Sequence, residues 1–121
     1  MLDERMPFAV SEVTDALLVT IVETIVREYD PEKIILFGSR ARGDAVPGSD
    51  VDLLVVKDNP DDTSGRATAV TRLFWPRGFG LDVIVYTPEE LSHRLALRDP
   101  CLRQIISQGK VLYERAGRGT A

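Results

Sequence analysis

The sequence predicts an α/β (α+β) domain: a small mixed β-sheet with helices packed on it. Three observations predict it. The runs Lys33 to Phe37, Val51 to Val56 and Leu81 to Tyr86 are almost wholly apolar, as strands covered on both faces are. Between them lie stretches whose apolar residues recur at helical spacing. And 121 residues, 44% apolar and 28% charged, suffice for one ordinary core without disulfide staples.

Met1 to Ala9 mixes charges with Pro7 and reads as a loose lead-in. From Val10 the positions Val13, Leu17, Ile21 and Ile25 predict a helix, flanked by Leu18, Val22 and Val26, with Ser11 as its N-cap. Asp30-Pro31 ends it, because the residue before proline is pushed out of the α region. Ile34, Ile35 and Leu36 make Lys33 to Phe37 a buried central strand. Gly38 breaks that strand, Ser39 caps a helical turn through Arg42, and Gly43 closes it. Asp44 to Ser49, with Pro47-Gly48, is a turn. Val51 to Val56 is the second strand, and Asp58 to Gly65, with Asn59-Pro60, a polar loop.

Ala67, Val70, Leu73 and Phe74 predict a helix ended by Pro76. Gly78-Phe79-Gly80 is a turn into the third strand, Leu81 to Tyr86, with Val83, Ile84 and Val85 buried. Thr87-Pro88-Glu89-Glu90 starts a helix, with Thr at the N-cap, Pro at N1 and Glu at N3 closing a capping box. Leu91 and Leu95 are its inner stripe. Asp99-Pro100 starts another helix through Ile105 and Ile106, which Gly109 caps. Val111 to Tyr113 is a last short strand. A single domain over residues 1–115 is expected, with 116–121 a disordered tail. Strand order cannot be read from the pattern.

The net charge of −4 argues against a general nucleic-acid binder but leaves room for a local basic patch at Arg40 and Arg42. One cysteine, Cys101, allows no disulfide within the chain and fits a reducing cytosol. The first residues lack the apolar core of a signal peptide, and no apolar run approaches the ~20 residues of a membrane span. A cytoplasmic location away from membranes is expected.

The polar chemistry concentrates between Phe37 and Val56. Side chains alternate along a strand, so Asp50 and Asp52 point to one face, with attachment points ~6.6 Å apart. Two carboxylates so placed can converge on cations ~3.5–4 Å apart. An all-oxygen set suits Mg²⁺ or Mn²⁺ rather than zinc. Asp82 stands second in the third strand and joins them if that strand pairs beside Val51 to Val56. Gly38 allows a close backbone approach, Ser39 offers a hydroxyl and an amide, and Arg40 and Arg42 add positive charge. Phosphate donors beside carboxylates that hold Mg²⁺ point to phosphoryl or nucleotidyl transfer. The plain alternative, a turn and solvated strand ends, stands beside that reading on the residues alone.

Gly38-Ser39, ten residues, then Asp50-Val51-Asp52 resembles the signature of the DNA polymerase β-like nucleotidyltransferases. The wording Phe-Gly-Ser-Arg-Ala-Arg-Gly-Asp before Ser-Asp-x-Asp-Leu is most similar to the minimal nucleotidyltransferases (MNT). The resemblance runs from the first helix to Glu114. It implies the nucleotidyltransferase fold, with Gly38 and Ser39 on the triphosphate of ATP. It further implies Asp50, Asp52 and Asp82 on two Mg²⁺ ions, Asp82 also serving as base on the acceptor hydroxyl. Arg40 and Arg42 belong to the family wording; phosphate contact, partner contact and a solvated helix face all stay open for them. Many MNT proteins are antitoxins paired with HEPN-domain toxins, and some transfer AMP to toxin tyrosines. The implied function is that of an antitoxin adenylylating a HEPN partner. A non-catalytic antitoxin that acts by binding, or an enzyme modifying a small molecule, are the alternatives.

Other residues are set aside. His93 is expected on a solvated helix face and Cys101 as a small buried filler. Phe74, Trp75 and Phe79 are expected in the core, with a partner contact open for an exposed Trp75. Tyr86 and Tyr113 read as structural.

Overall fold

The computed structural model describes residues 6–58 and 63–115. The turn expected at Asn59-Pro60 and the tail expected beyond residue 115 lie outside them. Helix α1 spans Asp15–Tyr29, strand β1 Lys33–Phe37, the short helix α2 Ser39–Arg42 and strand β2 Val51–Val56. Helix α3, Thr63–Thr71, tightens into a 3₁₀ turn over Arg72–Phe74. Strand β3 (Leu81–Tyr86), helices α4 (Pro88–Ala96) and α5 (Pro100–Gln108) and strand β4 (Lys110–Glu114) complete the chain.

The sheet order is β3-β2-β1-β4. β1 runs antiparallel to β2 and β4, while β2 and β3 are parallel. Alternation along the strands divides the core in two. Ile34, Leu36, Leu53, Val55, Val83 and Val85 face the side covered by Leu17, Ile21 and Ile25 of α1 and by Val70 and Phe74. Ile35 and Leu54, with Ile84 and Tyr86 partly buried, face Leu91 and Leu95 of α4 and Leu102 and Ile105 of α5.

Three expectations shift. α1 starts at Asp15, capped by the Thr14 hydroxyl, which accepts from the Leu17 amide at 3.1 Å. Ser11 is not the cap, because residues 8–10 are held elsewhere. The Gly78 amide donates to the Phe8 carbonyl at 3.0 Å. A Cβ at Gly78 would stand 2.7 Å from the Val10 carbonyl oxygen. The lead-in is accordingly not loose at Phe8, which is buried edge-on against Phe74 at a centroid distance of 4.7 Å.

α3 begins at Thr63, so Gly65 lies in a helix rather than a loop. Arg66 supplies a tertiary reason that local propensity lacks. It is 5% exposed and donates to both Glu90 carboxylate oxygens, at 2.6 and 2.9 Å, tying α3 to α4. Third, Trp75 is 78% exposed and Cys101 is exposed, whereas Phe74 and Phe79 are buried as expected. The capping box at Thr87 and Glu90 forms as the sequence specifies.

Candidate active site

The chain leaves β1 at Phe37 and turns at Gly38, whose φ of 77° and ψ of −159° fit glycine and few other residues. The reason for the turn stands opposite it. A Cβ on Gly38 would lie 3.1 Å from Asp52 Cγ and collide with Oδ2. Gly38 is the N-cap of α2 and Ser39 its first residue, so Ser39 does not cap the turn as expected. A four-residue helix has little dipole. What it offers an anion is the amides at its very start and the Ser39 hydroxyl, since the Ala41 and Arg42 amides both donate to the Gly38 carbonyl at 3.1 Å.

The two basic residues of α2 part company. The Arg40 guanidinium donates to the Ser49 carbonyl from Nη2 at 2.7 Å and Nε at 3.2 Å. That fork holds the loop leading into Asp50. Arg42 is exposed and makes a 3.5 Å contact to the Asp44 carboxylate. A cleft of about 500 Å³ borders Arg40 and the loop at Ala45 to Gly48 and does not include the three aspartates, of which Asp50 and Asp82 are exposed and Asp52 is half-buried.

Asp50 precedes β2 by one residue rather than opening it. It lies against Gly80, where a Cβ would stand 2.6 Å from Asp50 Cγ. The Val51 amide donates to the Gly80 carbonyl at 2.9 Å, joining the two strand entries. Gly80 was legible in the sequence only as a turn residue. Its place between buried Phe79 and Leu81 is the signal that something approaches its backbone.

Asp52 and Asp82 are direct register partners across β2 and β3, and Phe37 is the partner of Asp52 across β1. Phe37, Asp52 and Asp82 thus form one row on one sheet face, strand to strand at ~4.8 Å. Burial raises the Asp52 pKa above its ordinary value, and the nearby Asp82 and Asp50 charges raise it further; Arg40 and Arg42 oppose them.

The donor set fits a hard divalent cation. All three groups are carboxylates, two of them face glycines that leave room for them, and their mutual repulsion is what a cation relieves. Among the described residues no three such side chains already stand as a closed metal cage. Mg²⁺ accepts that arrangement, since it commonly keeps waters and takes its remaining oxygens from substrate phosphates.

Fold and row together define the class, that of the nucleotidyltransferases. Residues 18–112 match the family model of the nucleotidyltransferase domain, and the chain belongs to that family. Among curated proteins it is similar to two candidate protein adenylyltransferases of Methanocaldococcus jannaschii. One is 38% identical over 87 residues, 68% of this chain and 58% of the relative. The other is 35% identical over 82 residues, 68% of this chain and 78% of the relative. A bifunctional uridylyltransferase/uridylyl-removing enzyme of Streptomyces coelicolor is 34% identical over 85 residues, 68% of this chain but 10% of that enzyme. The chain thus spans from a tenth to about three quarters of these relatives.

Among solved structures it resembles a candidate nucleotidyltransferase from Sulfolobus solfataricus. The TM-score is 0.59 at 28% identity, covering 83% of this chain and 79% of that one. A toxin-antitoxin structure with AMP-PNP shares the fold, with TM-score 0.56 at 22% identity over 80% of this chain and 73% of that one. No helix among the described residues is long and apolar enough to cross a membrane.

Proposed function

We propose that this chain is a Mg²⁺-dependent nucleotidyltransferase that transfers AMP from ATP to a tyrosine hydroxyl of a HEPN-domain toxin, acting as its cytoplasmic antitoxin. The observation that carries the reading is the row of Asp52 and Asp82 in register, with Asp50 beside them and Gly38 against Asp52. Gly38 and Ser39 receive the triphosphate, and Arg42 is the cation with freedom to follow it. Arg40 acts one step back, fixing the loop before Asp50.

Asp50, Asp52 and Asp82 would hold two Mg²⁺ ions. Bound there, the metal supplies charge stabilisation at the α-phosphate and the departing pyrophosphate. The tyrosine oxygen attacks the α-phosphorus, the bond to the bridging oxygen of pyrophosphate breaks, and Asp82 takes the hydroxyl proton. Similarity to relatives named for protein adenylylation favours a protein acceptor. So does the net charge of −4, which suits a nucleic-acid acceptor poorly. The toxin-antitoxin fold neighbours, one with AMP-PNP and one a mutant of MntA-HpeT, favour a toxin as that protein.

The test is incubation of the purified protein with α-labelled ATP, Mg²⁺ and a HEPN-domain toxin encoded beside it. Label is expected on a toxin tyrosine and is expected to vanish with Asp50→Asn plus Asp52→Asn. An unlabelled toxin, or label that survives the double substitution, overturns the proposal. A double variant that still neutralises the toxin in cells would assign neutralisation to binding alone.

A further inference from the structure

A second concavity, about 250 Å³, opens beside the carboxylate row between α5 and the end of β1. We propose that it receives the nucleobase of the nucleotide donor. The proposal rests on the nucleotidyl-transfer reading and adds a location for the part of the donor that reading leaves unplaced.

The placement follows from the sheet. Asp82, Asp52 and Phe37 stand in one row across β3, β2 and β1. Helix α5 covers the same face, through Leu102 and Ile105 against Ile35 and Leu54. Its C-terminal end is pinned to β1, because a Cβ at Gly109 would stand 2.7 Å from Ile35 Cγ2 and 3.1 Å from the Leu36 carbonyl oxygen. Crossing the site therefore leads from Asp82 to Asp52, then Gly38, then this cleft. Gly38 touches Asp52 on one side and lines the cleft on the other. A donor whose phosphates rest at Gly38 and Ser39 has its nucleoside on the α5 side and leaves the Asp82 side to the acceptor.

The lining suits a planar heterocycle. Phe37 and Ile105 give apolar surface for the ring. Arg42 stands at the rim with a loose 3.5 Å contact that a ligand can displace. Gln104 and Gln108, one turn apart, are joined by a 3.3 Å bond from Gln104 Nε2 to Gln108 Oε1. That bond leaves Gln104 Oε1 to accept and Gln108 Nε2 to donate. An acceptor beside a donor complements the edge of a nucleobase.

Cys101, the one cysteine of the chain, lines the same cleft and is exposed, so it reports occupancy. The rate of its modification by N-ethylmaleimide is measured with Mg²⁺ and, in turn, ATP, GTP, CTP, UTP or inorganic tripolyphosphate. At ~10 times its Kd, the preferred triphosphate is expected to slow modification ~10-fold, while saturating tripolyphosphate leaves the rate unchanged. Calorimetry on the Gln104→Ala plus Gln108→Ala variant is expected to show ~10-fold weaker nucleotide binding and unchanged tripolyphosphate binding. Equal protection by nucleotide and tripolyphosphate overturns the proposal, as does a double variant that binds nucleotide like the wild type or loses both ligands equally. A wild-type chain that binds no triphosphate of any kind overturns the nucleotidyl-transfer reading and this proposal with it. Nucleotide binding that leaves Cys101 unprotected overturns the pocket alone.

Discussion

Asp52 carries the tension of the site. It is half-buried, it faces two other carboxylates, and its charged form is disfavoured on both counts. An acid whose folded pKa is raised costs the folded state stability once it ionises. Asp52→Asn is therefore expected to raise the melting temperature of the metal-free protein at neutral pH. Mg²⁺ is expected to raise that of the wild type and to do far less for the variant, since a ligand of the native state stabilises it by mass action. Thermal melts with and without Mg²⁺ check both signs. Gly38 is the complementary case. Gly38→Ala strains a backbone at φ 77° and collides with Asp52. It should cost more than about 1 kcal/mol in urea unfolding and abolish the Mg²⁺ shift. In the sequence Gly80 was legible only as a turn former and Gly38 as a residue that admits a close backbone approach, but the carboxylate that approaches each was not legible, because that contact involves a residue distant along the chain.

Among the elements, the strands were the most legible. Lys33–Phe37, Val51–Val56 and Leu81–Tyr86 have the bounds their apolar runs indicate, since strands covered on both faces leave little ambiguity. The start of α1 was misplaced because Val10 and Val13 mimic helical spacing while packing as an extended lead-in. Phe8 belongs to the core by the same contact, so Phe8→Ala is expected to cost about 3 kcal/mol, measured by denaturant unfolding. Arg66 has no sequence signal at all, for its partner Glu90 is twenty-four residues away.

That ion pair sets a pH dependence. The bidentate bond from Arg66, and after it the hydrogen bond from the Thr87 amide, together hold Glu90 well below the ordinary value of 4.5, at about 2. A depressed carboxylate contributes stability that is fully present above pH 4.5 and is lost as pH falls toward 2. Glu90→Gln should flatten stability across that window, read as the urea midpoint at successive pH values.

At the level of the whole molecule, the sheet is asymmetric in its protection. β1 and β2 each have a strand on both sides, while β3 and β4 are edges. Amides of β1 and β2 are expected to be the slowest in native-state hydrogen exchange, with β4, whose Val111 is 53% exposed, faster. Slowest exchange in β4 would contradict the order β3-β2-β1-β4.

By itself the sequence determined the fold class, the strands, the capping box at Thr87 and Glu90 and the identity of the polar residues, because each depends on neighbours within a few positions. It also carried the spacing between Gly38-Ser39 and Asp50-Val51-Asp52 by which the family resemblance could be read. Tertiary structure alone decided that β3 lies parallel against β2, which sets Asp82 level with Asp52. It decided that Arg40 holds the Ser49 carbonyl while Arg42 rests loosely against Asp44, and that α5 meets the end of β1 beside the carboxylates. Those are pairings between segments far apart in the chain. They depend on which surfaces bury one another, and local periodicity does not encode that choice.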